Sequence, residues 1–81
     1  MNRTATKFKQ LLEVYLSGRE IDIREEHSRD RIYVDGSEIT NLSFGSLDFW
    51  AEEQKMNDGD LIDYLESNIL SGVLEKINEN K

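Results

Sequence analysis

Apolar residues recur at helical spacing near the start of the chain. The spacing i, i+3, i+4, i+7, i+8 places five of them on one face and predicts an amphipathic helix over residues 4–17. We expect Thr4 or Thr6 to cap the start of this helix, and Gly18 suits the left-handed position just past its end. The apolar face consists of Phe8, Leu11, Leu12, Tyr15 and Leu16.

The next residues alternate between apolar and polar, a period of two that is typical of strands. Strands are predicted at 20–26 and 31–34, with a polar turn at 26–30 between them. Asp35-Gly36 is a strong type I′ hairpin signal and predicts a returning strand at 37–40. The result is an antiparallel meander of two or three strands. Its predicted core-facing residues are Ile21, Ile23, Ile32, Val34 and Ile39.

Helical spacing returns in the second half of the chain. Residues 41–45 are interpreted as a connector, and Ser46 as the N-cap of a helix that runs to about Met56. Within this helix, Leu47, Trp50 and Ala51 are predicted to face the core.

Residues 57–60 are predicted to break this helix and to cap a further one. That helix has Leu61, Ile62, Leu65 and Ile69 as its buried face, and the pattern continues through Val73, Leu74 and Ile77. Ser71-Gly72 is a weak point, because Gly costs about 1 kcal/mol relative to Ala within a helix. The C-terminal region is therefore one long kinked helix or two shorter ones.

The order of elements predicts an α+β fold. An N-terminal helix precedes a small antiparallel β-meander of two or three strands, and two or three C-terminal helices pack on that sheet. The 81 residues are expected to form one domain, 1–81.

Composition adds a charge asymmetry to this picture. Residues 1–41 carry seven bases and eight acids, a net charge of −1, whereas residues 42–81 carry three bases and nine acids, a net charge of −6. An acidic surface repels phosphate backbones and attracts basic proteins. The chain has no Cys, no apolar run of membrane-spanning length and no signal-peptide pattern, so a soluble cytoplasmic protein is expected.

Catalytic and cofactor chemistry finds little support in the sequence. Asn57-Asp58-Gly59-Asp60 superficially suggests a calcium loop, but with Gly59 at position 6 the ligand positions fall on Gln54, Met56 and Leu65. His27 is the only histidine and lies in a polar turn, where no nucleophile and orienting partner can be assigned to it. No phosphate-binding glycine motif is present. We expect no catalytic residue, no metal site and no cofactor, and hence a protein that is not an enzyme.

The segment from Ser43 to Glu66 combines apolar anchors with dense negative charge. Asp48 and Phe49 open this cluster, and Phe49 points about 100° away from Trp50 on the helix, which leaves it available as an anchor. The sequence therefore suggests a small acidic protein-binding module, an inhibitor or accessory factor, that engages a basic or nucleic-acid-associated protein. The candidate partner-binding residues are Asp48, Phe49, Glu52, Glu53, Asp60, Asp63 and Glu66.

Three alternatives stay open at this point. The acids can simply be the solvated faces of two surface helices. The chain can instead be a nucleic-acid-associated regulator that uses the basic face of the first helix and the hairpin. It can also be a homodimer, because a small sheet leaves an edge strand unpaired. The basic residues of the second alternative are Lys7, Lys9, Arg24, Arg29 and Arg31.

Overall fold

A computed structural model describes residues 2–79 and has the predicted α+β layout. One helix precedes a three-stranded antiparallel sheet, and three helices follow it, so the predicted third strand is present and the C-terminal region is two helices. The elements are α1 Arg3–Tyr15, β1 Ile21–Glu26, β2 Arg29–Val34, β3 Ser37–Leu42, α2 Phe44–Glu53, α3 Asp58–Asn68 and α4 Leu70–Glu79.

The sheet has the strand order β1-β2-β3, and both pairings are antiparallel. Ile21 lies opposite Val34 and Ile23 opposite Ile32, so the alternation of each strand delivers these four side chains to the same buried face. Ile39 lies where the register of β2 and β3 shifts and is partly buried against the same core. The predicted core face of the meander is therefore confirmed.

The helices cover this apolar face and complete one core. α1 packs against β1, α2 and α3, while α4 packs against α3 and β3. The rings of Phe8 on α1 and Phe44 on α2 lie 5.3 Å apart between their centroids. The buried apolar residues are Ala5, Phe8, Leu11, Leu12, Ile21, Ile23, Ile32, Val34, Phe44, Ala51, Leu61, Leu65, Leu70, Val73 and Ile77.

Both hairpins turn through two residues with positive φ. Asp35 and Gly36 have φ of 52° and 84°, as a type I′ turn requires. His27 and Ser28 have φ of 51° and 65°, so the first hairpin closes through these two residues, and β2 begins at Arg29. The prediction of a five-residue turn over 26–30 was wrong, because the pairing of β1 with β2 continues up to Glu26 opposite Arg29.

The start of α1 differs from the prediction. Asn2 is the N-cap, and its side-chain oxygen accepts the N–H of Ala5 at 2.8 Å. The assignment of Thr4 or Thr6 as the cap was wrong, since Thr4 is already helical and buried. At the other end the helix stops at Tyr15, and Gly18 takes the expected left-handed conformation with φ of 86°.

The start of α2 lies earlier than predicted. The helix begins at Phe44 with Ser43 as its N-cap, not at Ser46, and it ends at Glu53. Asp30 is only 3% exposed, and its Oδ2 accepts the N–H of Phe44 at 2.9 Å. A carboxylate from the middle strand therefore satisfies a donor at the positive end of this helix. Phe44 becomes a core residue, not part of a connector.

The C-terminal helices separate at Ile69, two residues before the Ser71-Gly72 weak point. Asn57 caps α3 by accepting the N–H of Asp60 at 2.8 Å, which confirms the predicted break at 57–60. Gly72 lies inside α4. Over residues 2–79, no helix combines the length and the apolar character needed to cross a membrane.

Candidate protein-binding surface

Phe49 is a large apolar residue that lies in solvent: its side chain is 66% exposed in the second half of α2. Ala51, Phe44 and the partly buried Leu47 define the inner face of this helix. Phe49 lies roughly opposite that face, since successive helical residues are rotated by about 100°. The packing of α2 therefore uses small and aliphatic side chains and leaves this ring in solvent.

Trp50 extends the aromatic surface toward α3. It was predicted to face the core, but it is 37% exposed and lies at the side of α2. Its ring contacts that of Tyr64, with 4.9 Å between centroids and 48° between planes. The surface of α2 therefore continues onto α3 through an aromatic pair.

Exposed carboxylates lie close to these rings along α2 and α3. Glu52 and Glu53 follow Phe49 at i+3 and i+4 on α2, and Asp60 and Asp63 lie close to Tyr64 in the sequence of α3. All four acids are exposed, and within residues 2–79 none of them forms an ion pair. Their carboxylates therefore form no direct ion pair in the described part of the chain, although Arg3 and Lys55 line the same surface pocket as Glu52.

Asp58 behaves differently from its neighbours. Its carboxylate is 3.4 Å from Nη1 of Arg3 and 3.6 Å from Nζ of Lys7. These contacts join the start of α3 to the start of α1. Asp58 therefore holds two helices together, whereas Asp60 and Asp63 project into solvent.

Glu66 lies on the side of α3 that adjoins α1. Its Oε2 accepts a hydrogen bond from the Tyr15 hydroxyl at 3.0 Å. This hydrogen bond and the negative charge of Glu66 raise the pKa of Tyr15 above its usual value. The predicted partner-binding residue Glu66 is thus exposed but already engaged within the chain.

Asp48 is half-buried, and its Oδ1 accepts two hydrogen bonds from Thr4. The Thr4 hydroxyl donates at 2.6 Å and the Thr4 backbone N–H at 3.3 Å. These contacts place the carboxylate at the start of α1, where the helix dipole favours negative charge. The structure therefore places Phe49 at the surface together with Glu52, Glu53, Asp60 and Asp63, whose carboxylates have no ion pair within residues 2–79, and it gives Asp48 an internal role.

Four of the five basic residues of the alternative function have counter-charges or polar partners of their own, whereas Lys9 forms no ion pair within residues 2–79. Lys7 is paired with Asp58, and Nε of Arg24 donates to Asp22 at 2.7 Å. Arg31 lies between two acids, with Glu26 at 3.0 Å and Glu38 at 2.8 Å. The remaining hairpin arginine, Arg29, donates to the side chain of Asn41 at 2.9 Å. The outer face of the sheet is therefore a network of paired charges, as expected for a solvated mixed surface.

The outer face of the sheet also contains a cation–π contact between Arg24 and Tyr33. The guanidinium of Arg24 lies 4.5 Å from the centre of the Tyr33 ring. The pKa of Arg24 is raised, first because of the hydrogen bond to Asp22 and then because of the charge of that carboxylate. An aromatic ring and an acid together hold one guanidinium.

His27 and the acidic residues do not form a metal centre. His27 is exposed in the turn between β1 and β2. Over residues 2–79, no three His, Asp or Glu side chains lie close enough together to hold a metal ion.

One feature of the surface was missed at the sequence level. The pattern placed Trp50 in the core, and its pairing with Tyr64 could not be foreseen because it depends on how α2 and α3 pack.

No protein-family model matches the chain, and no curated protein and no solved structure shows significant similarity to it.

Proposed function

We propose that this chain is a small non-catalytic protein-binding module, and that its α2–α3 surface engages a basic partner protein. The surface is defined by Phe49, Trp50 and Tyr64 together with the acids Glu52, Glu53, Asp60 and Asp63. The observation that carries the proposal is the exposure of Phe49 beside carboxylates that form no ion pair within residues 2–79. An exposed ring costs solvation free energy, and burying it against a partner recovers that energy.

The charge distribution supports the same partner chemistry. Net negative charge is concentrated in residues 42–81, and the acids of the surface add to a field that steers positively charged molecules. The aromatic rings would then supply the short-range contact, because aromatic residues dominate the energetics of protein interfaces. A nucleic-acid-associated protein has the required basic surface, and an inhibitor or accessory factor of such a protein fits this description.

An affinity capture experiment tests the proposal. The wild type and the Glu52→Lys/Glu53→Lys double variant are immobilised and exposed to a lysate of the native host at low and at high salt. The matched control is Glu13→Lys/Glu75→Lys, which makes the same change in net charge at exposed positions on α1 and α4.

The expected result is a partner that binds the wild type and the control at low salt. It should be lost at high salt, where the screening length falls from about 10 Å at 0.1 M to about 3 Å at 1 M. It should also be lost in the Glu52→Lys/Glu53→Lys variant. If the captured partner binds equally well at both salt concentrations and to the charge-reversed variant, the acids are ordinary solvated side chains and the proposal is wrong.

A further inference from the structure

The α2 face around Phe49 has two chemically distinct parts. Phe49 presents a largely exposed ring, while Glu52 and Glu53 follow one helical turn later. Side chains at i, i+3 and i+4 are neighbours on a helix, with about 5–6 Å between their Cβ atoms. One aromatic face and two carboxylates are therefore within reach of a single cationic group.

The space beside Phe49 on the N-terminal side is open. Gly45 and Ser46 precede it at i−4 and i−3, and both are small and exposed. A Cβ added at Gly45 would meet nothing within 4 Å, so the Phe49 ring does not fold back over that position. A group that approaches along this face meets the aromatic ring without displacing another side chain.

The outer face of the sheet has the same combination of an aromatic ring and a carboxylate, with a guanidinium bound between them. On the outer face of the sheet, the guanidinium of Arg24 stacks 4.5 Å from the centre of Tyr33 while its Nε donates to Asp22 at 2.7 Å. Among residues 2–79, Arg24 on Tyr33 is the only cation–π contact. The α2 face has the same two components, a ring and a carboxylate, but within residues 2–79 no guanidinium stacks on Phe49 or forms an ion pair with Glu52 or Glu53.

We propose that the Phe49, Glu52 and Glu53 face selects arginine over lysine, and that its ligand is an arginine-rich segment of the partner protein. This inference rests on the proposed function and specifies the partner's chemistry. A planar guanidinium stacks on an aromatic ring and donates hydrogen bonds in its own plane to carboxylates at the same time. A lysine ammonium is a compact, strongly hydrated charge that satisfies the carboxylates but gains less from the ring.

The experiment compares oligo-arginine with oligo-lysine peptides of equal length and equal charge. Their dissociation constants are measured by calorimetry for the wild type, Phe49→Ser and Glu52→Lys/Glu53→Lys. The matched control is Val14→Ser, which removes a large apolar side chain that is 74% exposed on α1. Circular dichroism verifies that each variant is folded, and none of the substituted side chains is buried.

The wild type should bind oligo-arginine about three- to tenfold more tightly than oligo-lysine, the ratio expected for one or two cation–π contacts. Phe49→Ser should bring this ratio close to one, and Val14→Ser should leave it unchanged. A wild-type ratio close to one, with both affinities reduced by the charge reversal, overturns the arginine selectivity while the acidic surface stands. If neither peptide binds, or if the reversal changes neither affinity, both the selectivity and the proposed function are wrong.

Discussion

The Thr4 hydroxyl donates a 2.6 Å hydrogen bond to the carboxylate of Asp48, and the Thr4 backbone N–H donates to the same oxygen. This contact joins the first turn of α1 to α2 across 44 positions of the sequence. Asp48 therefore acts as an acceptor for the start of another helix. Its charge belongs to the internal framework, although it lies in the acidic segment of the chain.

Replacing Asp48 by Ala is expected to lower the free energy of unfolding by about 1–3 kcal/mol, because two donors lose a charged acceptor. Urea denaturation monitored by circular dichroism measures this change. The control is Asp63→Ala, which removes an exposed carboxylate without an ion pair in the described chain and should change stability by less than about 0.5 kcal/mol. Equal losses in the two variants would contradict the role assigned to Asp48.

The turn between β1 and β2 carries conformational strain that a substitution can remove. His27 and Ser28 both have positive φ, a region that costs most non-glycine residues about 1 kcal/mol or more. Ser28→Gly is therefore expected to raise the free energy of unfolding by about 0.5–1 kcal/mol. Thermal and urea unfolding both measure the change.

The control for this substitution is Ser67→Gly, on the exposed face of α3. There the same chemical change should lower stability by about 0.5 kcal/mol, because glycine weakens a helix. Opposite signs at the two positions would establish that the effect at Ser28 comes from backbone conformation. A destabilised Ser28→Gly variant would show that the serine side chain contributes more than its strained backbone costs.

Asp35 connects the second hairpin to the loop that follows α1. Its carboxylate accepts the N–H of Glu20 at 3.0 Å and the Nε of Arg19 at 2.8 Å. The backbone hydrogen bond and then the arginine hydrogen bond lower the pKa of Asp35 below its usual value. A lowered folded-state pKa means that the stabilisation is fully present above the unfolded value of about 3.9 and is lost as the pH falls through the folded value.

Asp35→Asn isolates this contribution, since asparagine also tolerates the left-handed backbone and retains an acceptor oxygen. The wild type should be the more stable of the two at pH 7. The difference between their free energies of unfolding should shrink as the pH is lowered below about 4, when measured by urea denaturation over the acid range. A difference that stays constant down to pH 2 would exclude a titrating Asp35 carboxylate as its source.

Much of the fold could be predicted because its signals are local. The alternation around Ile21, Ile23, Ile32 and Val34 specifies both strands and their buried face, and Asp35-Gly36 specifies the turn between β2 and β3. These signals involve residues that are close in the sequence, so the fold class followed from pattern alone, while the number of strands was left at two or three.

The errors have a common physical origin in contacts between distant residues. Asp30 was placed in a polar turn, yet it is buried because it accepts the N–H of Phe44, which is 14 positions away. That hydrogen bond in turn allows α2 to begin at Phe44 and not at Ser46. A carboxylate that caps a helix from another element leaves no periodic mark in the sequence, so neither its burial nor the helix boundary could be read from it.

Some features of the candidate surface could also be predicted from local sequence, whereas others depend on contacts between distant residues. The opposed directions of Phe49 and Ala51 follow from helix geometry within one element, and the exposure of Phe49 agrees with them. Asp48 and Glu66 could not be separated from the other acids by sequence, because their partners Thr4 and Tyr15 lie on α1. Acidic residues on neighbouring helices therefore differ: some accept hydrogen bonds from another helix, and others are exposed to solvent.

The electrostatic character of the surface can be measured without a partner, because the only tryptophan of the chain lies on it. Trp50 is partly exposed, and Glu53 follows it at i+3. A negative local potential concentrates cations and excludes anions around the indole ring. We expect caesium ions to quench Trp50 fluorescence more effectively than iodide ions at low ionic strength, relative to the same two quenchers acting on a free tryptophan amide.

The Glu52→Lys/Glu53→Lys variant should reverse this preference, while Glu13→Lys/Glu75→Lys should leave it close to that of the wild type. The preference should also fade as salt is added, because the ions that screen the carboxylates also reduce their effect on the quenchers. Acrylamide, which is uncharged, reports the accessibility of the ring and should quench all three proteins alike. If iodide quenches the wild type as well as caesium does, the field around Trp50 is too weak to steer a basic partner to Phe49.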